Sequence, residues 1–182
     1  MIMQERKKKM QRTELGSALV ARCALEGEFV LRSGAVSKWY FDKYQFEADP
    51  VLLGEVAEHL EPLVPAHTEV LAGLETGGIP LAVALGLVTG LPMAFVRKQA
   101  KTYGTARLAE GADISGRRLL IIEDVVVTGG QIVDSVAALR ERGAVVDEAL
   151  CVIDRSDGRV PLLDEAGIKL TSLFRADEIN GS

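Results

Sequence analysis

Two adjacent carboxylates, Glu123 and Asp124, stand directly after the aliphatic residues 119–122, a pattern typical of a buried strand. Three valines and a Thr-Gly-Gly turn over 128–130 follow, and a helical pattern begins at that turn. Small residues at a helix start let backbone N–H groups approach an anion, and the helix N-terminus adds partial positive charge. Carboxylates accept hydrogen bonds from hydroxyl groups, so the acidic pair and the turn together predict a sugar-phosphate site. In an ordinary strand-turn-helix connection both acids would be surface groups, but carboxylates that abut an apolar strand are costly without partners.

Other residue types that often carry chemistry give no comparable pattern. No Gly-Lys-Ser/Thr follows the glycines, so the turn is not a Walker A loop, and it is not a Rossmann dinucleotide fingerprint either. His59 and His67 lie near prolines without clustered ligands, and Cys23 and Cys151 are too few for a disulfide framework or a zinc site. We therefore expect these four residues to have packing or surface roles.

Composition and charge narrow the class of protein. The 182 residues are 48% hydrophobic, with a mean hydropathy of +0.17, which indicates a folded chain with one substantial core. No apolar run is long enough to span a bilayer and no secretory signal is visible, so we expect a cytoplasmic protein without membrane contact. The net charge is −5, and basic residues concentrated in the first twelve leave the remaining body more acidic still. Because phosphate neutralisation dominates nucleic-acid binding, we expect no nucleic-acid partner.

The hydrophobic pattern predicts a small N-terminal region and a larger alternating one. Residues 14–26 favour a helix, and the extended stretches 28–32 and 36–42 around Gly34 favour a hairpin or small hood. Further along, we predict helices over 50–63, 79–88, 129–142 and 160–166, strands over 69–74, 93–96, 118–123, 145–153 and 168–174, and a polar, cationic loop over 97–111. This alternation predicts an α/β fold, with a mainly parallel sheet covered by helices on both faces. We expect a single domain over 1–182, with an N-terminal arm and hood over 1–48 and an α/β core over 49–182.

The strand, acidic pair and Thr-Gly-rich loop resemble the signature of the type I phosphoribosyltransferase family. Three further segments resemble the orotate phosphoribosyltransferases within it. Residues 29–42 are similar to their N-terminal Ser-Gly/Ser/Tyr/Asp segment, residues 72–82 to their pyrophosphate loop and following helix, and residues 96–111 to their mobile catalytic loop. The resemblance implies the fold of that family. It also implies transfer of ribose 5-phosphate from 5-phosphoribosyl 1-diphosphate (PRPP) to orotate, with release of pyrophosphate.

The resemblance implies roles for individual residues as well. Lys101, Glu123 and Asp124 would be the catalytic set, and the two acids would hold the ribose hydroxyls directly or through Mg²⁺ bound with PRPP. The other PRPP and pyrophosphate contacts would be Arg32, Glu75, Thr76, Gly77, Gly78, Arg97, Lys98, Tyr103, Val125, Val126, Val127, Thr128, Gly129, Gly130 and Gln131. Orotate would contact Tyr40, Phe41, Val127, Thr128 and Arg155. In the family the loop corresponding to 97–111 reaches into the neighbouring subunit's site, so the resemblance also implies a homodimer.

The implied residue types suit the implied chemistry. Breaking the anomeric C–O bond leaves negative charge on pyrophosphate, which Mg²⁺ and the cations of the 97–111 loop would stabilise. The segment Glu75-Thr76-Gly77-Gly78 follows a strand and opens a helix, so it suits a second phosphate cradle built from backbone amides.

Two residues depart from the family pattern. Val127 stands where the family usually has a Thr that bonds orotate, and Tyr103 stands where its loop usually carries His. Two alternatives therefore stay open: a phosphoribosyltransferase for a different nucleobase, and a PRPP-sensing regulator on the same fold. The loop cations Arg97, Lys98 and Lys101 and the acidic body favour an enzyme over the regulator.

Overall fold

The computed structural model describes residues 9–30, 34, 36–98, 107–156 and 158–179. Its helices are α1 (Arg12–Cys23), α2 (Tyr44–Glu47), α3 (Pro50–Leu60), α4 (Gly78–Thr89), α5 (Gly130–Arg140), α6 (Pro161–Glu165) and α7 (Ala176–Ile179). Its strands are β1 (Ala24–Val30), β2 (Val36–Phe41), β3 (Val70–Leu74), β4 (Met93–Val96), β5 (Ala109–Gly111), β6 (Arg118–Val126), β7 (Val145–Asp154) and β8 (Lys169–Arg175). A short 3-10 turn, Glu61–Leu63, extends α3.

The main sheet has the strand order β5-β4-β3-β6-β7-β8. Strands β4, β3, β6, β7 and β8 are parallel to their neighbours, and β5 joins the edge antiparallel to β4. Strands β1 and β2 form a separate antiparallel hairpin. The predicted α/β fold with a mainly parallel sheet is therefore confirmed.

Both faces of the sheet are buried, as its parallel strands require. Successive residues of β6 point to opposite faces, so Leu120 and Ile122 belong to one apolar cluster while Leu119 and Ile121 belong to another. The first cluster is completed by α1, α2, α3 and α4, and the second by α5 and α6. The ends of β3 and β6 are consequently held between two packed layers.

The observed elements correct four details of the predicted pattern. Strand β6 continues to Val126 because Val125 and Val126 still pair with β7, so Asp124 as well as Glu123 lies within the strand. The predicted polar loop over 97–111 ends in β5, which pairs with β4. Helix α1 ends at Cys23 because the chain from Ala24 onward pairs with β2. The short helix α2 was not predicted, since four residues are too few to show a period.

Helix α1 packs with the main body of the protein. Leu15 and Leu19 are wholly buried in the same cluster as α3 and α4. The β1–β2 hairpin is mostly exposed by contrast, and Trp39 on it is 57% accessible. Among the described residues, no helix combines the length and the apolar character needed to cross a bilayer.

Candidate active site

The strand order reverses at β3, and this determines where the motifs meet. Helix α4 leads from β3 to β4 on one side, while β6 pairs with β3 on the other. In open parallel sheets, ligands bind in the crevice outside the carboxyl ends of the strands at such a reversal. Strand β3 leads there into residues 75–78, and β6 carries Glu123 and Asp124 near its end. The topology thus brings the two sequence motifs to one edge of the sheet.

The acidic pair is buried rather than solvated. Asp124 is wholly inaccessible and Glu123 is 8% exposed. The Val125 N–H donates to Asp124 Oδ1, whereas Glu123 Oε2 is buried without a hydrogen-bond partner among the described residues. Burial, and then the neighbouring Asp124 charge, raise the pKa of Glu123 to about 9. A buried acceptor without a donor suits a ligand hydroxyl or a cation.

Lys43 and Glu47 complete this cluster, and the sequence motifs did not include them. Lys43 Nζ lies 2.6 Å from Asp124 Oδ2, and buried Glu47 interacts with the same aspartate. Burial, and then the Asp124 charge, raise the pKa of Glu47 to about 8. Burial alone would lower the pKa of Lys43, but the adjacent Asp124 carboxylate raises it. Their spacing of one helical turn is the one sequence signal that could have suggested them.

Gly77 packs directly against this cluster. A Cβ built on Gly77 would overlap Asp124 Oδ2 and would lie 2.8 Å from Glu47 Oε1. A Cβ on Gly78 would overlap the Ile122 carbonyl oxygen in the same way. The segment 75–78, which contains a cis peptide between Glu75 and Thr76, therefore crosses the end of β6 at backbone contact. Only glycine allows that approach.

The turn after β6 also requires glycine, and it is joined to the 75–78 segment. Gly129 has φ +74°, and a Cβ there would lie 2.8 Å from Val160 Cγ1. Gln131, in the first turn of α5, donates from Nε2 to the Glu75 carbonyl oxygen at 2.9 Å. The two glycine-rich loops predicted to hold phosphates are thus connected by a hydrogen bond across the edge of the sheet.

Comparison with known proteins identifies the family to which this chain belongs. The family model described as the phosphoribosyl transferase domain matches residues 45–170. The orotate phosphoribosyltransferase of a Nocardioides species is 47% identical over 169 residues, which cover 92% of this chain and 94% of that protein. The chain belongs to the orotate phosphoribosyltransferase family. The resemblance drawn from the sequence motifs is therefore confirmed.

Solved structures of this family share the fold. The orotate phosphoribosyltransferase from Aeropyrum pernix is 29% identical, with a TM-score of 0.76 over 91% of this chain and 95% of that one. The orotate phosphoribosyltransferase of Mycobacterium tuberculosis H37Rv superposes with a TM-score of 0.82 over 93% of this chain and 99% of that one. Its 24% identity makes this second likeness one of fold alone.

Several residues for which the family resemblance implies substrate contacts lie at the same edge of the sheet. The Arg155 N–H donates to the Val126 carbonyl oxygen at 2.8 Å, so the chain leaving β7 runs beside the end of β6. Val127, Thr128 and Arg155 are all exposed there, Val127 to 56%. Accessibility at the crevice is compatible with base or phosphate contacts, and their roles stay predictions.

Arg97 and Lys98 follow β4 at the same edge. The Glu75 N–H donates to the Val96 carbonyl oxygen at 2.9 Å, which sets the start of the 75–78 segment beside the end of β4. Arg97 Nε is buried without a hydrogen-bond partner among the described residues, and Lys98 is exposed. Cationic groups therefore lie on the side of the segment opposite the acidic pair.

The two aromatic residues proposed as a wall for the base face different surroundings. Phe41 packs against the core, whereas Tyr40 is 45% exposed with its ring centroid 5.4 Å from that of Phe29. Consecutive residues of a strand point to opposite sides, so the two rings do not share a face. Arg32, Lys101 and Tyr103 lie outside the described residues, and their roles stay predictions.

Proposed function

We propose that this protein transfers ribose 5-phosphate from PRPP to orotate, giving orotidine 5′-monophosphate and pyrophosphate for pyrimidine nucleotide synthesis in the cytoplasm. One observation carries the proposal: a buried acidic pair and two glycine-rich loops meet at the strand reversal. The 47% identity to a protein named orotate phosphoribosyltransferase supports orotate as the acceptor.

Each part of the crevice has a task in this reaction. Glu123 accepts hydrogen bonds from the ribose hydroxyls, since its Oε2 has no other partner among the described residues. The amides of 128–131 hold the 5′-phosphate, and those of 75–78 hold the pyrophosphate. Arg97, Lys98 and Lys101 stabilise the negative charge that the leaving pyrophosphate gains as the anomeric C–O bond breaks. Tyr40 and Arg155, which are both exposed, are proposed contacts for the base, whereas Phe41 packs against the core.

The donor set also fits a magnesium ion that arrives with PRPP. Mg²⁺ prefers oxygen ligands and is usually held by one or two carboxylates together with substrate phosphates. The Glu123 carboxylate would hold it, since one of its buried oxygens has no hydrogen-bond partner in the described ranges, and Asp124 is the second acid within reach. When bound, the ion would neutralise charge on the pyrophosphate.

We further propose that the protein works as a homodimer in which the 97–111 loop of one subunit serves the site of the other. The support is the resemblance of this segment to the family's mobile catalytic loop. Sedimentation or light scattering tests the dimer directly. Mixing a subunit altered at Lys101 with one altered at Glu123 tests the sharing, because only a shared site regains activity in the mixed dimer.

A different nucleobase is the second candidate acceptor, and Val127 is the observation that favours it. Valine has no hydroxyl to offer a pyrimidine, and the side chain is accessible at the crevice. A lost hydrogen bond of this kind typically costs about 1 kcal/mol. Val127→Thr should therefore lower the KM for orotate by about fivefold if orotate is the acceptor. An unchanged KM would count against this placement of Val127.

The deciding experiment follows orotate by its ultraviolet absorbance with purified protein, PRPP and Mg²⁺, and omits each component in turn. Loss of orotate that requires every component supports the proposal. Parallel reactions, in which uracil, adenine, guanine or hypoxanthine replaces orotate, would detect another acceptor. Binding of PRPP without turnover of any base would instead favour the regulator.

A further inference from the structure

Lys43 stands outside every segment that carries the family's chemistry, yet it contacts the most deeply buried acid of the site. Its Nζ lies 2.6 Å from Asp124 Oδ2, and the Lys43 side chain is 31% exposed while that of Asp124 is wholly inaccessible. An ion pair with one partner fully buried strongly affects stability if it is broken, because the remaining charge has no water around it.

The position of Lys43 is fixed independently of the site. It directly precedes α2, whose Phe46 is wholly buried in the core. The residue before it, Asp42, donates its N–H to the Cys23 carbonyl oxygen at 2.8 Å, which ties the chain to the end of α1. The lysine is therefore held by the packed body, and Asp124 is oriented against a charge that is already in place.

The two acids differ in their charged neighbours. Asp124 Oδ1 accepts from the Val125 N–H, and Asp124 Oδ2 forms an ion pair with Lys43 at 2.6 Å, although it has no hydrogen-bond partner among the described residues. Glu123 Oε2 is buried and has no hydrogen-bond partner among the described residues. Gly77 packs directly against Asp124 Oδ2, so the Asp124 carboxylate contacts the backbone of the 75–78 segment and helps to set its position. An uncompensated negative charge at this point would repel a pyrophosphate held by that segment.

We propose that Lys43 is a positioning residue for PRPP: it neutralises Asp124 and holds its carboxylate under Gly77, which leaves Glu123 to receive the ribose hydroxyls. The inference deepens the proposed function and rests on it for the identity of the ligand. The ion pair itself belongs to this chain and can be tested without any ligand.

The kinetic test compares Lys43→Met with Lys43→Arg, and uses Lys169→Met as a matched control on an exposed lysine at the start of β8. Lys43→Met should raise the KM for PRPP at least about tenfold and change the KM for orotate by less than about twofold. Lys43→Arg should recover most of this loss, since it keeps the charge. A folded Lys43→Met protein with the wild-type KM for PRPP would overturn the inference.

Because Lys43→Met removes the partner of a buried charge, its stability is measured in a double-mutant cycle with Asp124→Asn. Lys43→Met alone should lower the Tm by about 10 °C. The same change in the Asp124→Asn background should cost much less, since the Asp124 carboxylate that Lys43 pairs with is already gone. Equal costs in both backgrounds would show that the two residues are not coupled, and would overturn the inference.

Calorimetric titration with PRPP and Mg²⁺, without any base, separates this inference from the proposed function. A wild-type protein that binds PRPP but consumes no orotate would contradict the proposed acceptor, and weaker PRPP binding by Lys43→Met would still support the inference. If the wild-type protein bound no PRPP, the proposed function and the ligand role of Lys43 would both be wrong. Wild-type turnover with unaltered PRPP binding in Lys43→Met would overturn the inference alone.

Discussion

The strands of the central sheet begin at one edge, the amino edge, and end at the other, the carboxyl edge, and charged groups are arranged differently at the two. At the amino edge, Arg117 pairs with Glu69 at 3.0 Å and Arg118 with Asp147 at 2.9 Å, all four side chains being about two-fifths to one-half exposed. At the carboxyl edge, Glu47, Glu123 and Asp124 are buried, and Lys43 forms an ion pair with Asp124. At the amino edge the acids and bases are paired and hydrated, whereas in the cluster at the carboxyl edge three buried acidic groups share one lysine.

This difference separates groups that maintain the fold from groups that await a ligand. Exposed ion pairs contribute about 0 to 1 kcal/mol each and can be lost with little consequence. Buried carboxylates without enough partners reduce stability, and the raised pKa values of Glu47 and Glu123 report the same cost. Perturbed groups that cluster in a crevice are typical of functional sites. The predictions below test this contrast, from the largest expected effect to the smallest.

Gly77→Ala should have the largest effect, because the new Cβ would overlap Asp124 Oδ2. Either the 75–78 segment or the acidic cluster must move, so we expect activity to fall at least about a hundredfold. The matched control is Gly54→Ala in α3, where a Cβ meets no atom of the described residues within 4 Å. That change should stabilise the protein by about 0.5 to 1 kcal/mol with normal activity. Steady-state kinetics and thermal unfolding of both variants check the pair, and normal activity in Gly77→Ala would contradict the site.

Glu123→Gln should separate activity from stability. Glutamine keeps the shape of the side chain but replaces one carboxyl oxygen with an N–H₂ group that cannot accept from a ribose hydroxyl, so kcat/KM for PRPP should fall about 10- to 100-fold. The Tm should stay the same or rise, because a buried carboxyl without enough partners is replaced by a neutral group. Kinetics and calorimetry on one preparation measure both. A lower Tm with unchanged kinetics would make Glu123 a structural residue.

Arg118→Met tests the amino edge in the same way. It removes the exposed pair with Asp147, so the free energy of unfolding should change by no more than about 1 kcal/mol. The kinetic constants should remain those of the wild-type protein, since no proposed contact lies at this edge. Denaturant unfolding in low and high salt checks the size of the effect and its screening. A loss of activity in Arg118→Met would contradict the assignment of the amino edge to stability alone.

Glu178→Gln tests whether the burial of a carboxylate, rather than its position at the carboxyl edge, separates ligand-binding groups from groups that only stabilise the fold. Glu178 follows β8 at the carboxyl edge but is exposed; the Arg175 N–H, and also Arg12, lower its pKa. A lowered pKa means that the carboxylate contributes stability above the unfolded value of 4.5, and that this contribution is lost as the pH falls through the folded value. The wild-type protein should exceed the variant in Tm by about 2 °C or less at pH 7, and the difference should vanish in acid. A difference that grows in acid would contradict this assignment.

Much of the fold followed from local pattern. Apart from β5, the order of strands and helices between residues 69 and 174 was predicted because these elements show a hydrophobic period or an unbroken apolar run, and β4 was predicted with its observed bounds. Strand β5 and helices α2 and α7 were missed because each has only three or four residues and, unlike β4, none is an unbroken apolar run. The end of β6 was set too early because its continued pairing with β7 depends on a neighbouring strand.

The sequence by itself determined the family and the acidic pair with its two glycine-rich loops, because each motif is contiguous and its chemistry is local. Only the tertiary structure decided how those groups are used. It placed Lys43 on Asp124, with Glu47 beside it and Gly77 packed against both acids, and within the described part of the chain it left one Glu123 oxygen without a hydrogen-bond partner. Burial and ion pairing depend on which distant segments the sheet order brings together, and no local pattern contains that information.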